Sequence, residues 1–288
     1  MPILPESELA KLSPIFRGKA GNSFARLVRR IVAIDKLSDL HDRHSDLTGP
    51  AFAGAVLKDL GIDFRIAWSE RLHSLPEGPF ITISNHPYGG LDGVILVDLI
   101  GHQRPDLKVM VNEILDRIEA LRQTWIVVNP KNDMQNEVTG RNIRGVKEVI
   151  SQLREGHPVG FFPAGAISDL HLKDMKIRDR EWQGAVVRLI QKARVPIVPV
   201  RFFDHNSLLF YNLGLIDWRI RLLRLPREVF NKMGRRIRVG IGETLQVEEQ
   251  LKHQDLEDFR GWLRQSVYGM SFPGEHVWYK DFIKRTRH

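Results

Sequence analysis

Phe80-Ile81-Thr82-Ile83-Ser84-Asn85-His86-Pro87-Tyr88-Gly89-Gly90-Leu91-Asp92-Gly93 reads as a short β-branched strand that runs into a polar, glycine-rich turn and then into the start of a helix. Four more runs of the same kind follow it: 108–111, 125–128, 158–162 and 196–200. Between the runs, 94–100, 113–122, 141–153 and 182–193 carry helix-compatible periodicity. Strands alternating with helices of about 10 to 15 residues indicate βαβ units. The expected fold is therefore α/β: a mixed, mostly parallel sheet flanked by helices, with an N-terminal helical segment. The expected division is residues 1–74 as that helical, membrane-proximal segment and residues 75–288 as the α/β domain. Sheets of this type hold ligands beyond the carboxyl ends of their strands, so the residues just after each run are the ones to read for chemistry.

No internal repeat or low-complexity tract interrupts the 288 residues. From Asn22 to Leu40 the apolar residues Phe24, Leu27, Val28, Ile31, Ile34, Leu37 and Leu40 recur at helical spacing, with Arg26, Arg29, Arg30 and Lys36 on the other faces. The spacing predicts an amphipathic helix, packed on the domain or lying on an anionic bilayer. The longest stretch free of Asp, Glu, Lys and Arg is Gly78–Leu91, too short for the roughly 20 apolar residues of a membrane span. The opening residues show neither the basic start nor the apolar run of a secretory signal, so a cytoplasmic protein is expected. The absence of cysteine excludes disulfides, thiol nucleophiles and cysteine-ligated zinc. A net charge of +8 suits an anionic membrane surface, an acidic substrate or nucleic acid.

His86 stands at a strand end, and Asp92 follows a Gly-Gly turn. An imidazole that is to take a proton needs a carboxylate on its other ring nitrogen, which fixes the tautomer and stabilises the imidazolium. Gly89 and Gly90 let the backbone fold tightly enough to bring Asp92 back to His86. The plainer alternative is that Asp92 caps the next helix and His86 is an ordinary loop histidine. After the fourth run comes Phe162-Pro163-Ala164-Gly165-Ala166-Ile167-Ser168, a turn whose free amides and Ser168 hydroxyl suit a polar or anionic head group. Val195-Pro196-Ile197-Val198-Pro199-Val200-Arg201 is a strand bracketed by prolines.

In this order the three clusters resemble the acyltransferase family that esterifies glycerol phosphates and lysophospholipids. Its hallmarks are Asn-His, a spacer and Asp, then a Phe-Pro-Glu-Gly-type loop, then a Val-Pro-Ile-Val-Pro strand. The resemblance spans about Pro76 to Gly242. Five residues separate His86 from Asp92 where the family has four, and Ala164 stands where it has glutamate. The block Thr124-Trp125-Ile126-Val127-Val128-Asn129-Pro130 also lacks the arginine common there. These departures, with Asn206-Ser207-Leu208-Leu209-Phe210-Tyr211 and Leu225-Pro226-Arg227-Glu228, are similar to the bacterial branch named for hemolysin, which includes acyltransferases of ornithine and glycine lipids.

The resemblance implies that His86 is the general base and Asp92 its orienting partner, with Asn85, Gly89, Gly90, Phe162, Pro163, Ala164, Gly165 and Ser168 at the substrates. It implies acyl transfer from acyl carrier protein or coenzyme A to a lysolipid hydroxyl, with no further cofactor. A lyso-aminolipid acceptor is favoured over 1-acylglycerol 3-phosphate, because the glutamate and arginine associated with a phosphate acceptor are missing. No Gly-x-Ser-x-Gly elbow and no cysteine supply a covalent nucleophile, so direct transfer is expected.

Between Asp217 and Gly240 stand Arg219, Arg221, Arg224, Arg227, Lys232, Arg235, Arg236 and Arg238 against Asp217 and Glu228. They follow the apolar stretch Leu208–Trp218. Apolar residues beside arginines suit a peripheral protein on the cytoplasmic face of the inner membrane, bound to anionic lipid. The competing readings are a basic nucleic-acid-binding protein, supported by this cluster alone, and a hydrolase that uses water as acceptor; no nucleic-acid partner is expected. His41 and His44 lack a third histidine to complete a metal site, so no metal is expected.

Overall fold

The structure, a computed structural model, describes residues 33–128 and 140–286. The part of the expected Asn22–Leu40 helix before residue 33, and Asn129 and Pro130, lie outside the described residues. Within them the chain opens with helices α1 (Ile34–Asp42) and α2 (Gly49–Asp59) and strand β1 (Asp63–Ala67). Next come β2 (Ile81–Ser84), α3 (Gly90–Gly101), β3 (Lys108–Asn112) and β4 (Trp125–Val128). Then follow α4 (Gly140–Arg154), β5 (Val159–Phe161), a small hairpin of β6 (Asp169–His171) and β7 (Lys176–Arg178), and α5 (Gly184–Ala193). After β8 (Ile197–Phe202) stand α6 (Leu208–Ile216), α7 (Trp218–Leu223), α8 (Leu225–Phe230) and β9 (Arg236–Ile241). The described chain ends with α9 (Val247–Gln250), α10 (Leu256–Tyr268), β10 (Val277–Trp278) and α11 (Tyr279–Thr286).

The main sheet has the order β10-β1-β9-β8-β2-β5-β3-β4. Its β2–β5, β2–β8, β3–β4, β3–β5 and β1–β9 pairs are parallel, and only β8–β9 and β1–β10 are antiparallel. This is the mixed, mostly parallel sheet that the alternating pattern predicted. Its two faces bury separate apolar layers, because strand side chains alternate. Along β8, Ile197 joins one layer with Ile81, Ile83, Trp182, Phe259 and Leu263, while Val198, Val200 and Phe202 join the other with Phe52, Leu96, Val109 and Ile237. The sheet is thus sandwiched between α4, α5 and α10 on one side and α2 and α3 on the other.

Three local readings are revised. β1 lies inside the stretch read as a separate helical segment, yet it pairs along its length with β9, so the sheet reaches back to Asp63. The helix expected over 113–122 is two 3-10 turns, Leu115–Arg117 and Glu119–Thr124. Leu115, Ile118 and Leu121 recur every third residue, the period of a 3-10 turn rather than of an α-helix. Finally, Arg236-Ile237-Arg238-Val239, the end of the basic segment read as a lipid-binding surface, alternates as β9 between β1 and β8, with Ile237 and Val239 in the core.

Candidate active site

β2 is fully buried, with β8 on one side and β5 on the other, so the loops beyond these three strand ends meet. Asn85 is the first residue past β2. Its side chain acts as one more rung of the sheet, donating from Nδ2 to the Phe202 carbonyl and accepting the Phe202 N–H at Oδ1, both at 2.8 Å. This amide, expected at the substrate, is therefore spent on fixing where the next residue begins.

That residue is His86, whose side chain is 18% exposed, while Asp92 is fully buried. His86 Nδ1 lies 3.0 Å from Asp92 Oδ2, with the ring turned off the line of a straight hydrogen bond. Such pairs are often poorly aligned without substrate and tighten when it binds. Asp92 Oδ2 also accepts the backbone N–H groups of Tyr88 at 2.9 Å and Gly89 at 3.0 Å, and the Asp92 N–H returns a bond to the Gly89 carbonyl. One carboxylate thus both caps α3 and lies against His86. Burial pushes the Asp92 carboxyl up, and its bonds to His86, Tyr88 and Gly89 oppose that rise. With Nδ1 committed, Nε2 is the nitrogen left to accept a proton.

Gly89 makes this turn possible. It has φ +80°, and a methyl group placed on it would stand 2.8 Å from Ile167 Cδ1 and 3.2 Å from Leu225. Gly90 stands beside Leu115. The ring of Phe162 lies 4.3 Å from that of His86. Phe162 thus covers one side of His86, while Ile167, Leu225 and Leu115 line the turn that follows it.

The loop after β5 is joined to His86 through a residue that the sequence reading missed. Asp179, 1% exposed, accepts the His86 N–H at 3.1 Å and the Ser168 hydroxyl at 2.6 Å on Oδ1, and the Trp182 indole N–H at 3.1 Å on Oδ2. Its own N–H donates to the Tyr268 hydroxyl, and its carbonyl accepts from Arg264. Ser168 closes the link, its N–H donating to the His86 carbonyl at 2.9 Å. Asp179 lies in a short polar run with no periodicity to mark it. The only signal was an acidic residue three positions before a tryptophan.

The remaining expected site residues divide. Gly165 turns the loop at φ +61°, and Pro163 accepts a backbone bond from Gln183. Ala164, expected at the substrates, is instead buried in the layer with Trp182, Val187 and Phe161, so its methyl group packs into the core. Ser168, expected at a head group, has given its hydroxyl to Asp179.

The basic segment is also partly internal. Arg221 pairs with Asp169, Arg224 with Glu228, and Arg238 with Asp204, while Lys232 is buried over the Tyr88 ring. Burial lowers Lys232, and Glu228 opposes this. Arg227, Arg235 and Arg236 remain exposed, and the Arg219 side chain lies outside the described residues. Among the described residues no helix is long and apolar enough to cross a membrane. His41 lies against Asp42 and His44 against Asp59, so the two histidines have different acidic partners.

Two relatives, both named lyso-glycine lipid O-acyltransferase, come from Bacteroides thetaiotaomicron and Phocaeicola vulgatus. The first is 26% identical, with 84% of this chain and 87% of the relative covered, and the second 27%, with 82% and 86% covered. Among solved structures, the 1-acyl-sn-glycerophosphate (LPA) acyltransferase PlsC from Thermotoga maritima matches at 18% identity with a TM-score of 0.44, over 75% of this chain and 78% of that one. A family model described as Acyltransferase matches residues 9–272, which takes in His86, Asp92, the Phe162–Ser168 loop and Asp179. That match spans most of the 288 residues, and the chain belongs to the acyltransferase family.

Proposed function

We propose that the enzyme moves an acyl chain from acyl carrier protein or coenzyme A to the hydroxyl of a lysolipid held at a membrane surface. The observation that carries this reading is the 3.0 Å pair of His86 Nδ1 and the buried Asp92, with the Phe162 ring 4.3 Å from His86. His86 Nε2 takes the proton of the acceptor hydroxyl as that oxygen attacks the thioester carbonyl. The carbon–oxygen bond forms, the carbon–sulfur bond breaks, and the proton passes from the imidazolium to the departing thiolate. Asp92 keeps the ring in the tautomer this requires and stabilises its charge. Asn85 and Asp179 fix the backbone on either side, so they position His86 without touching substrate. No further cofactor enters the scheme.

The acceptor we favour is a lyso-aminolipid such as lyso-glycine or lyso-ornithine lipid. The names of both relatives support this. A second support is that several arginines near the strand ends are engaged elsewhere. Arg178 pairs with Asp174, Arg180 and Arg221 with Asp169, Arg224 with Glu228, and Arg201 donates to the carbonyls of Tyr268 and Met270. A phosphomonoester carries nearly two charges and is best held by a free guanidinium fork. Peripheral attachment to the cytoplasmic face of the inner membrane is part of the proposal, supported by the exposed apolar side chains of α6 and α7.

The test is product analysis with purified enzyme and one common donor. Transfer appears as a new diacyl lipid, with kcat/KM higher for lyso-glycine or lyso-ornithine lipid than for lysophosphatidic acid. Release of free fatty acid without a new lipid would make the enzyme a hydrolase. A preference for lysophosphatidic acid would overturn the choice of acceptor alone.

A further inference from the structure

The β6–β7 hairpin leaves the site one residue after Ser168. Its inward face carries Leu170 and Ile177, which pack with Ile167, Phe210, Leu222 and Leu225 against α6 and α7. Leu172 and Met175 lie in the turn that joins the two strands, beyond that packed face, and stand 62% and 67% exposed. Met175 also holds φ +55°. Non-glycine residues rarely adopt that conformation, and glycine or asparagine would occupy it more easily. A bulky apolar side chain is thus kept at an exposed tip where its backbone is strained. Such a combination points to a use for the side chain itself.

The tip has a matching neighbour. α6 is apolar around almost its whole circumference, a pattern expected of a buried helix, yet Leu208, Leu209, Leu215 and Ile216 face outward, followed by Trp218 and Ile220. Around the tip the acidic residues are paired with arginines, Asp174 with Arg178 and Asp169 with Arg180 and Arg221, whereas Lys173 and Lys176 are exposed and form no salt bridge among the described residues, Lys176 acting on Asp174 only at longer range. Apolar tips flanked by exposed lysines fit a bilayer with anionic head groups better than a protein surface.

We propose that the hairpin tip, Leu172 and Met175, is a lipid-inserting prong that works with the outer face of α6 and α7 to set the site against an anionic bilayer, with Lys173 and Lys176 on the head groups. The proposal rests on the lysolipid reading above. It goes further by assigning the hairpin a docking role and by tying that role to the site, since β6 begins at Asp169, next to the Ser168 that Asp179 holds to His86.

Flotation of the full chain with equimolar phosphatidylglycerol–phosphatidylcholine vesicles tests this. Leu172→Ser combined with Met175→Asn should lower vesicle partition by about tenfold, the worth of withdrawing one or two apolar side chains from lipid. Lys173→Glu with Lys176→Glu should lower partition on these vesicles and leave binding to pure phosphatidylcholine unchanged. Met175→Asn alone should keep or raise the melting temperature while weakening vesicle binding, a pair of signs that a packing role does not produce. Transfer to a short-chain, monodisperse lysolipid should stay within about twofold of wild type, because the tip does not reach the reacting atoms. Unchanged vesicle partition in the folded double variant overturns the prong. So does a variant that loses only binding to acyl carrier protein, or only self-association. Failure of the wild type to acylate any lysolipid would instead overturn the function on which the prong rests.

Discussion

Asp179 holds His86 by its backbone: Oδ1 accepts the His86 N–H at 3.1 Å and, on the same atom, the Ser168 hydroxyl at 2.6 Å. A carboxylate accepts at both oxygens, and Asp179 uses the second for Trp182. An amide has one accepting oxygen, so Asp179→Asn must turn an N–H toward a donor and leave a buried group unpaired, at about 1 to 3 kcal/mol. We expect kcat to fall at least tenfold in a folded protein with KM changed much less, since the base shifts while the substrate surface stays. Steady-state kinetics beside circular dichroism decide it, and wild-type kcat in Asp179→Asn would remove the positioning role.

His86→Ala should lower kcat by about 10² to 10⁴-fold, the usual worth of general-base assistance, because no neighbouring side chain replaces Nε2. The measurement is product formation under saturating donor, with the fold checked by thermal melting.

Asp92→Asn should separate activity from stability. Burial raises the Asp92 carboxyl, so its charge costs the folded state at neutral pH, and that cost disappears as pH falls through the raised value. The variant should lose nearly as much activity as His86→Ala yet melt no lower than wild type at pH 7. Its advantage should shrink on acidification. A clear loss of melting temperature at pH 7 would show that the bonds to Tyr88 and Gly89 outweigh the buried charge.

Glu228 has the opposite sign. Burial raises its carboxyl, but the amide and hydroxyl of Ser207, with Lys232 and Arg224, hold it below the usual carboxylate range. A depressed acid stabilises the fold above its ordinary value of about 4.3 and loses that contribution as pH falls through the lowered one. Glu228→Gln should therefore melt lower than wild type at pH 7, with the gap closing in acid. Equal denaturation midpoints at pH 7 would contradict this.

Gly89→Ala brings a methyl group to 2.8 Å from Ile167 in a backbone conformation reserved for glycine. Strain of this kind costs about 1 to 3 kcal/mol. The turn that returns Asp92 to His86 should open, and both melting temperature and kcat should drop. Retention of both would show that the turn tolerates a side chain.

The sequence by itself determined the parts of this protein that depend on near neighbours along the chain. The β-branched runs predicted β2, β3, β4, β5 and β8, because alternation and side-chain shape act locally. His86 and Asp92 were legible as a pair because one glycine turn separates them. What depended on distant neighbours was decided only by the tertiary structure. Asp179 lies 93 residues from His86, and nothing beside it in sequence reveals which donors its carboxylate will meet. Ala164 read as a residue at the substrates until the fold turned it into the core. Arg221, Arg224 and Arg238 read as surface charge until Asp169, Glu228 and Asp204 came within reach. A buried charge must find a partner, and which partner it finds depends on how the loops meet beyond the ends of β2, β5 and β8.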